Sequence, residues 1–131
     1  MTAEPKWISK KALLLLHEES LAGFGGARGV RDQGPLDSAL TRAQNVYAYK
    51  PECTIADLAA AYAFGLAKNH AFVDGNKRAA FLSIGLFLAI NGHSFKPDQV
   101  DAVNFMLALA NGDVDEAGLS AWITANIAAR P

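Results

Sequence analysis

Two neighbouring stretches of the sequence are apolar on almost every side of a helix, and this feature constrains the fold most. Residues 55–69 carry apolar side chains at most positions, and residues 79–90 contain a single polar side chain, that of Ser83. A helix without a polar face is usually buried on all sides. We therefore expect a third helix over 55–69 and a fourth over about 76–91, packed together at the centre of an α-helical bundle.

Capping residues indicate where the other helices of the first half begin. Ser9 is a suitable N-cap for a first helix, and Pro35 suits the first turn of a second helix. Thr54 and Asp57 form the pattern of a capping box at the start of the third helix. Between the first two helices, residues 23–34 are rich in glycine, which predicts a loop or a small hairpin.

The chain after the fourth helix also has a helical pattern. It predicts a fifth helix from about residue 98 to 112 and a last one over about 114–128. A length of 131 residues suits one ordinary domain. The sequence therefore predicts a single all-α domain over 1–131, a bundle of about six helices with a short loop after the first.

Composition narrows the class of protein. The 12 basic and 13 acidic residues nearly balance, whereas proteins that bind duplex nucleic acid usually have a basic excess, so we expect no direct nucleic-acid partner. The single cysteine, Cys53, excludes an internal disulfide and cannot form a zinc site alone. Residues 1–6 lack the pattern of a signal peptide, and the longest apolar run is shorter than the ~20 residues of a membrane helix. These features predict a soluble cytoplasmic protein with no membrane partner.

The segment that joins the two apolar helices is mostly polar and charged. Residues 70–78 have the sequence His-Ala-Phe-Val-Asp-Gly-Asn-Lys-Arg. Charged groups beside a core are costly without partners, so their presence indicates a use. From the residues alone, an interhelix turn whose charges face solvent is the alternative. We expect the other two histidines, His17 and His93, at the surface or at helix ends.

The start of the fourth helix has the features of an anion-binding site. A turn at residues 74–76 can cap the helix and leave the N–H groups of its first turn free to bind an anion. The positive charges of Lys77 and Arg78 are unfavourable at this end of the helix dipole. Each costs about 0.3–1 kcal/mol of stability unless an anion such as phosphate is bound there. The Asp74 carboxylate suits phosphate-bound Mg²⁺, and His70 can take a proton from an incoming hydroxyl.

The motif at residues 70–78 resembles the active-site motif of the Fic family. The common form has glycine after the asparagine and a second arginine three residues after the first. Here Lys77 and Phe81 stand at those two places, a variant that resembles the death-on-curing (Doc) branch of toxins. The resemblance extends over about residues 7–92. Further matching segments are Leu16-His17, Gly25-Gly26, Gly29-Val30-Arg31-Asp32-Gln33-Gly34 and Ala39-Leu40-Thr41-Arg42.

The resemblance implies a role for each residue of the motif. His70 would be the general base, Asp74 would hold Mg²⁺, and Phe72 would pack inward and fix the loop. The residues that would bind the nucleotide phosphates, partly as an anion hole, are Gly75, Asn76, Lys77 and Arg78. The glycine-rich loop resembles the Fic flap, where an extended target segment adds like a strand. The flap residues that would dock the target are Gly29, Arg31 and Asp32, although Arg31 and Asp32 could simply pair with each other in a plain connection.

The implied activity is that of a protein kinase that uses ATP and Mg²⁺. Ordinary Fic enzymes transfer AMP, whereas Doc-type toxins bind the nucleotide reversed and transfer its γ-phosphate to a Ser or Thr hydroxyl of a translation factor. The target known for the family is elongation factor Tu, and its modification blocks translation. Lys77 and Phe81 favour the kinase over the first alternative, an AMP transferase of Fic type. The intact His70 and Asp74 argue against the second, a non-catalytic helical interaction module.

The resemblance also implies a toxin–antitoxin pair. Fic enzymes that inhibit themselves carry a Ser or Thr four residues before a Glu that is followed by Gly or Asn. None of the five glutamates of this sequence has that context. We therefore expect inhibition by a cognate antitoxin whose disordered C-terminal tail folds into a helix in a groove of this protein, exposed as an apolar strip when the antitoxin is absent.

Overall fold

A computed structural model describes residues 4–129 of the chain. Within this range the chain forms six α-helices and one small sheet, which confirms the predicted all-α class. The elements are α1 (Lys10–Phe24), α2 (Gln33–Tyr49), α3 (Ile55–Asn69), α4 (Asn76–Ile90), β1 (His93–Phe95), α5 (Gln99–Ala110), α6 (Glu116–Ala125) and β2 (Ile127–Ala129). None of the helices in this range is long and apolar enough to cross a membrane.

The predicted caps lie at the helix starts. Ser9 accepts a hydrogen bond from the Ala12 N–H at the start of α1, and Thr54 and Asp57 form a complete capping box at the start of α3. Helix α2 begins at Gln33, two residues earlier than Pro35, because the Asp32 side chain caps it. Pro35 still lies in the first turn, where its missing N–H has no helical partner to lose.

Helix α3 lies at the centre of the bundle and contacts α2, α4, α5 and α6. Most of its side chains are buried, as the sequence predicts, and many are alanines that let neighbouring helices approach closely. A Cβ atom on Gly65 would lie only 3.2 Å from the Ala39 Cα of α2. Every residue of α4 from Ala79 to Ile90 is buried or half-buried. The two apolar helices are thus the core on which the segment between them rests.

The small antiparallel sheet near the C-terminal end was not predicted. Strand β1 pairs with β2, so that His93 lies opposite Ala129 and Phe95 opposite Ile127. The predicted helix over 114–128 is therefore wrong at its end, because α6 stops at Ala125 and the chain continues as β2. Strands of three residues are too short to show the alternation that identifies a strand in a sequence.

Candidate active site

The motif lines a cleft of about 540 Å³ between the start of α4 and one face of α5. The polar lining comes from His70, Asp74, Gly75, Asn76, Lys77 and Arg78. The rest of the lining is mostly apolar and includes Val73 of the motif loop, Phe81 of α4, and Val103, Met106 and Leu107 of α5. The structure therefore brings together every motif residue that the sequence predicted to bind or act on a ligand. Phe72 instead lies buried behind the loop.

The first turn of α4 offers unused backbone donors to this cleft. Gly75 is the N-cap, with φ 77°, and its carbonyl accepts the first helical hydrogen bond, from the Ala79 N–H at 2.8 Å. The N–H groups of residues 76–78 precede this bond, so they have no helical acceptor and form a ready anion site. The turn at 74–76 caps the helix through this glycine and not through a polar side chain.

The Asn76 side chain closes the motif loop. Its Oδ1 accepts the Phe72 N–H at 2.9 Å, and its Nδ2 donates to the Phe72 carbonyl at 3.0 Å. Both polar ends of the amide are therefore used inside the loop. Asn76 can contribute its backbone N–H to an anion site, while its side chain acts by holding the loop in shape.

The Asp74 carboxylate is exposed and oriented by two backbone donors. Its Oδ1 accepts the Gly75 N–H at 2.8 Å, and its Oδ2 accepts the Ala27 N–H at 3.2 Å. These hydrogen bonds, together with the nearby Arg78 charge, hold the pKa of Asp74 below its usual value. Gly26 makes this approach possible, since a Cβ atom there would lie 2.9 Å from the Asp74 Oδ2. The group is an ionised, pre-oriented acceptor.

This carboxylate fits a magnesium ion shared with nucleotide phosphates. Among residues 4–129 there is no cluster of three or more His, Cys, Asp or Glu side chains that could enclose a metal. Mg²⁺ at phosphate sites takes only one or two carboxylates and completes its octahedron with phosphate oxygens and water. A single carboxylate such as that of Asp74 is compatible with that kind of site.

The two cations of the motif differ in how they are held. Lys77 is exposed at the cleft, whereas Arg78 is half-buried against the end of α1. Its Nη1 donates to the Ser20 Oγ at 3.3 Å and to the Gly25 carbonyl at 3.4 Å, and its guanidinium lies 4.9 Å from the centre of the Phe24 ring. Arg78 is thus fixed at the edge of the cleft by residues far away in the sequence.

His70 ends α3 in a left-handed conformation, with φ 51° and ψ 47°. It is the one non-glycine residue with positive φ within the described part of the chain, and such positions are concentrated at functional sites. Its side chain is exposed, and its carbonyl accepts the Arg31 Nε at 2.9 Å. The imidazole is therefore open to an incoming hydroxyl, while the backbone behind it is tied down.

The flap segment pairs with the motif loop through an isolated antiparallel bridge between Val30 and Phe72. The Arg31 N–H donates to the Ala71 carbonyl at 2.7 Å, and the Val73 N–H donates to the Gly29 carbonyl at 3.1 Å. In this kind of pair the N–H and C=O groups of Val30 itself point away from Phe72, toward the outer edge.

The other two predicted flap residues have separate partners. Arg31 donates to the His70 carbonyl, and the Asp32 side chain accepts the Gly34 N–H as the cap of α2. The alternative that Arg31 and Asp32 pair with each other is therefore wrong. All three predicted flap residues join the flap to the motif loop, since the Asp32 N–H also donates to the Ala71 carbonyl, at 3.2 Å.

His17 contacts the motif loop, which the sequence did not predict. Its side chain is buried in the middle of α1, with only 3% of its area exposed, so the prediction of a surface or helix-end position is wrong for His17. Its ring stacks on that of Phe72 with a centroid distance of 3.7 Å, and its Nε2 lies 2.8 Å from the Asp74 carbonyl oxygen. A signal was present, because His17 lies four residues from both Leu13 and Leu21 and so shares the buried face of α1. His93 lies in β1 and does not line the cleft.

One family model and two curated proteins are similar to this chain over more than half of its length. A sequence model described as the Fic/DOC family matches residues 7–88. A curated protein of Mycolicibacterium smegmatis named Toxin Doc is 42% identical over 109 residues, covering 81% of this chain and 84% of that protein. A second, from Escherichia phage P1 and named Protein kinase doc, is 29% identical over 113 residues, covering 86% of this chain and 89% of that protein.

Proposed function

The chain belongs to the Fic/DOC family, and from this premise we propose that it is a toxin that acts as an ATP- and Mg²⁺-dependent protein kinase. The observation that carries the proposal is the cleft itself, which combines the open first turn of α4, two cations, an ionised Asp74 and an exposed His70. The names of two relatives, one a toxin and one a protein kinase, support it.

Each group of the cleft has a proposed task in phosphoryl transfer. The N–H groups of residues 76–78 and the side chains of Lys77 and Arg78 bind the nucleotide phosphates. Asp74 holds Mg²⁺, which when bound neutralises phosphate charge. His70 takes the proton from a Ser or Thr hydroxyl, and that oxygen attacks the γ-phosphorus. The bond from the γ-phosphorus to the bridging oxygen breaks, and ADP leaves with the electron pair.

Two positions favour transfer of the γ-phosphate over transfer of AMP. Lys77 places an exposed, charged side chain in the first turn of α4, where an AMP transferase has an open glycine backbone. Phe81 stands where the second arginine of such enzymes would be, and it packs on Phe95 with ring centroids 5.8 Å apart. Compared with an AMP transferase, the cleft therefore lacks one arginine and has an apolar side chain at position 81.

Labelled ATP distinguishes the two reactions. The protein is incubated with elongation factor Tu and Mg²⁺-ATP that carries the label on either the α- or the γ-phosphate. We expect label on the target from the γ position and none from the α position, and we expect the γ signal to disappear when EDTA removes Mg²⁺. Label from the α position would show that the protein is an AMP transferase instead.

Asp74→Asn is expected to weaken the binding of Mg²⁺-ATP. The amide cannot replace an anionic ligand, although it has nearly the same shape. Calorimetric titration of both forms with Mg²⁺-ATP measures the effect, and titration with ATP in EDTA should show a much smaller difference. Asp37→Asn is a matched control, because Asp37 is an exposed aspartate that pairs with Lys10 away from the cleft. Equal affinity of Asp74→Asn and the unsubstituted protein would assign Asp74 a purely local role in the turn.

The outer edge of the flap is the proposed docking place of the protein target. The unpaired edge at Val30 can accept an extended segment as an added strand. Arg31 holds the flap to the motif loop through the His70 carbonyl, so flap and base form one unit. We propose that the segment carries the modified hydroxyl and belongs to elongation factor Tu.

Helix α5 has an apolar strip that suits the tail of an antitoxin. Val100, Val103 and Leu107 are 70%, 61% and 44% exposed and lie on one face because they are three and four residues apart. Val103 and Leu107 also line the cleft. An amphipathic helix that covered this strip would therefore obstruct the cleft as well, which would couple binding of the antitoxin to inhibition.

A further inference from the structure

We propose that His17 of α1 is a positioning residue that holds the Asp74 carboxylate and the motif loop in the geometry that binds Mg²⁺-nucleotide. The proposal rests on the proposed function. It concerns a residue outside the motif, 57 positions before Asp74 in the sequence. Three contacts carry it, and each touches a different part of the loop.

The first contact fixes one peptide group. A carbonyl oxygen can only accept, so the His17 Nε2 carries the proton and donates it to the Asp74 oxygen at 2.8 Å. The N–H of the same planar peptide group belongs to Gly75 and donates to the Asp74 Oδ1 at 2.8 Å. His17 therefore holds one end of the peptide plane whose other end orients the carboxylate.

The second contact fixes the middle of the loop. The imidazole stacks nearly parallel on the Phe72 ring, at 3.7 Å between centroids and 12° between planes. Phe72 is 1% exposed, and its backbone N–H and carbonyl are both bound by the Asn76 side chain. The ring and the backbone of Phe72 are thus held from two sides, by α1 and by α4.

The third contact lies at the cap of α4. A Cβ atom on Gly75 would be 3.5 Å from the His17 Nε2, so the imidazole lies directly against this residue. Gly75 has positive φ and starts the turn whose N–H groups form the anion site. His17 therefore supports both halves of the proposed Mg²⁺-nucleotide site, the carboxylate and the helix start.

If His17 merely fills the core, its substitution would change the stability of the protein and nothing else. A positioning histidine would also change the mobility of the 74–75 peptide and the affinity for Mg²⁺-ATP. Groups that orient a metal ligand from behind typically change metal affinity or activity by about 10–100-fold when they are removed. The two roles are thus separated by measurements that do not depend on stability.

The experiment compares three variants of the full chain. His17→Leu removes the donor and keeps an apolar side chain, whereas His17→Gln keeps an N–H donor at a similar reach. Leu13→Val is the structural control, because Leu13 is fully buried on the same face of α1 one turn before His17. For each protein we measure thermal melting, amide hydrogen exchange of Gly75 by NMR, and calorimetric affinity for Mg²⁺-ATP.

We expect faster Gly75 exchange and about 10-fold or more weaker Mg²⁺-ATP binding in His17→Leu, with substantial recovery of both in His17→Gln. Leu13→Val should lower the melting temperature and leave both site measurements unchanged. The proposal is overturned if His17→Leu binds Mg²⁺-ATP like the unsubstituted protein, or if Leu13→Val at equal loss of melting temperature weakens binding as much. If His17→Leu does not fold, the test depends on His17→Gln alone. A folded His17→Gln protein whose Gly75 amide exchanges much faster than that of the unsubstituted protein would then overturn the proposal.

These outcomes are independent of the chemistry of transfer. Label transfer from the α-phosphate would contradict the proposed kinase activity and leave the His17 result standing, since both reactions need an ordered phosphate site. Conversely, normal Gly75 exchange and Mg²⁺-ATP affinity in His17→Leu would remove the role of His17 while the kinase activity remained.

Discussion

His70→Ala is expected to reduce transfer to the target by at least about 100-fold, the usual cost of losing a general base. The imidazole is exposed in the cleft, and its backbone is held by the left-handed end of α3 and by the Arg31 side chain. Removing the side chain therefore deletes a proton acceptor without disturbing the packing. Turnover of purified protein with γ-labelled ATP measures the effect.

A second histidine provides the matched control for this experiment. His93 lies in β1, away from the cleft, so His93→Ala is expected to keep full activity. Far-UV circular dichroism and thermal melting should show that both variants are folded, because neither side chain is fully buried. Near-normal turnover in His70→Ala would show that His70 is not the base.

Expression of the chain alone is expected to arrest growth, and co-expression with the adjacent reading frame is expected to restore it. None of the five glutamates of this sequence has the context of the self-inhibitory motif, and we therefore propose that a second chain supplies the inhibition. The exposed strip on α5 is the proposed place for that chain to bind. Growth curves after induction, with and without the partner, measure the effect.

The same catalytic variant makes the growth experiment specific. Cells that express His70→Ala should grow normally without the partner, and cells that express His93→Ala should be arrested like those with the unsubstituted chain. Soluble protein must be present at similar amounts in every strain. Equal growth with and without the partner, at equal amounts of soluble active chain, would contradict the toxin–antitoxin proposal and leave the kinase chemistry untouched.

The sequence by itself determined the features that depend on neighbouring residues. The capping box of Thr54 and Asp57 and the bounds of α3 follow from hydrogen bonds and periodicity within one helix. The motif could also be predicted as a candidate site, because His70, Asp74 and Arg78 lie within nine consecutive residues. The first turn of α4, which belongs to the same segment, supplies free backbone N–H groups as donors. Local chemistry of this kind is present in any fold that lets the fourth helix form.

The tertiary structure alone decided how those residues are oriented and which others support them. The Asp74 carboxylate takes its direction from Ala27 and from the peptide that His17 holds, and Arg78 rests on Ser20, Gly25 and Phe24 of the α1 end. All of these contacts cross about fifty positions of sequence, and they exist only because α1 packs beside α4. Residue type and helical period place His17 on a buried face, but which loop lies opposite that face is set by how the helices pack.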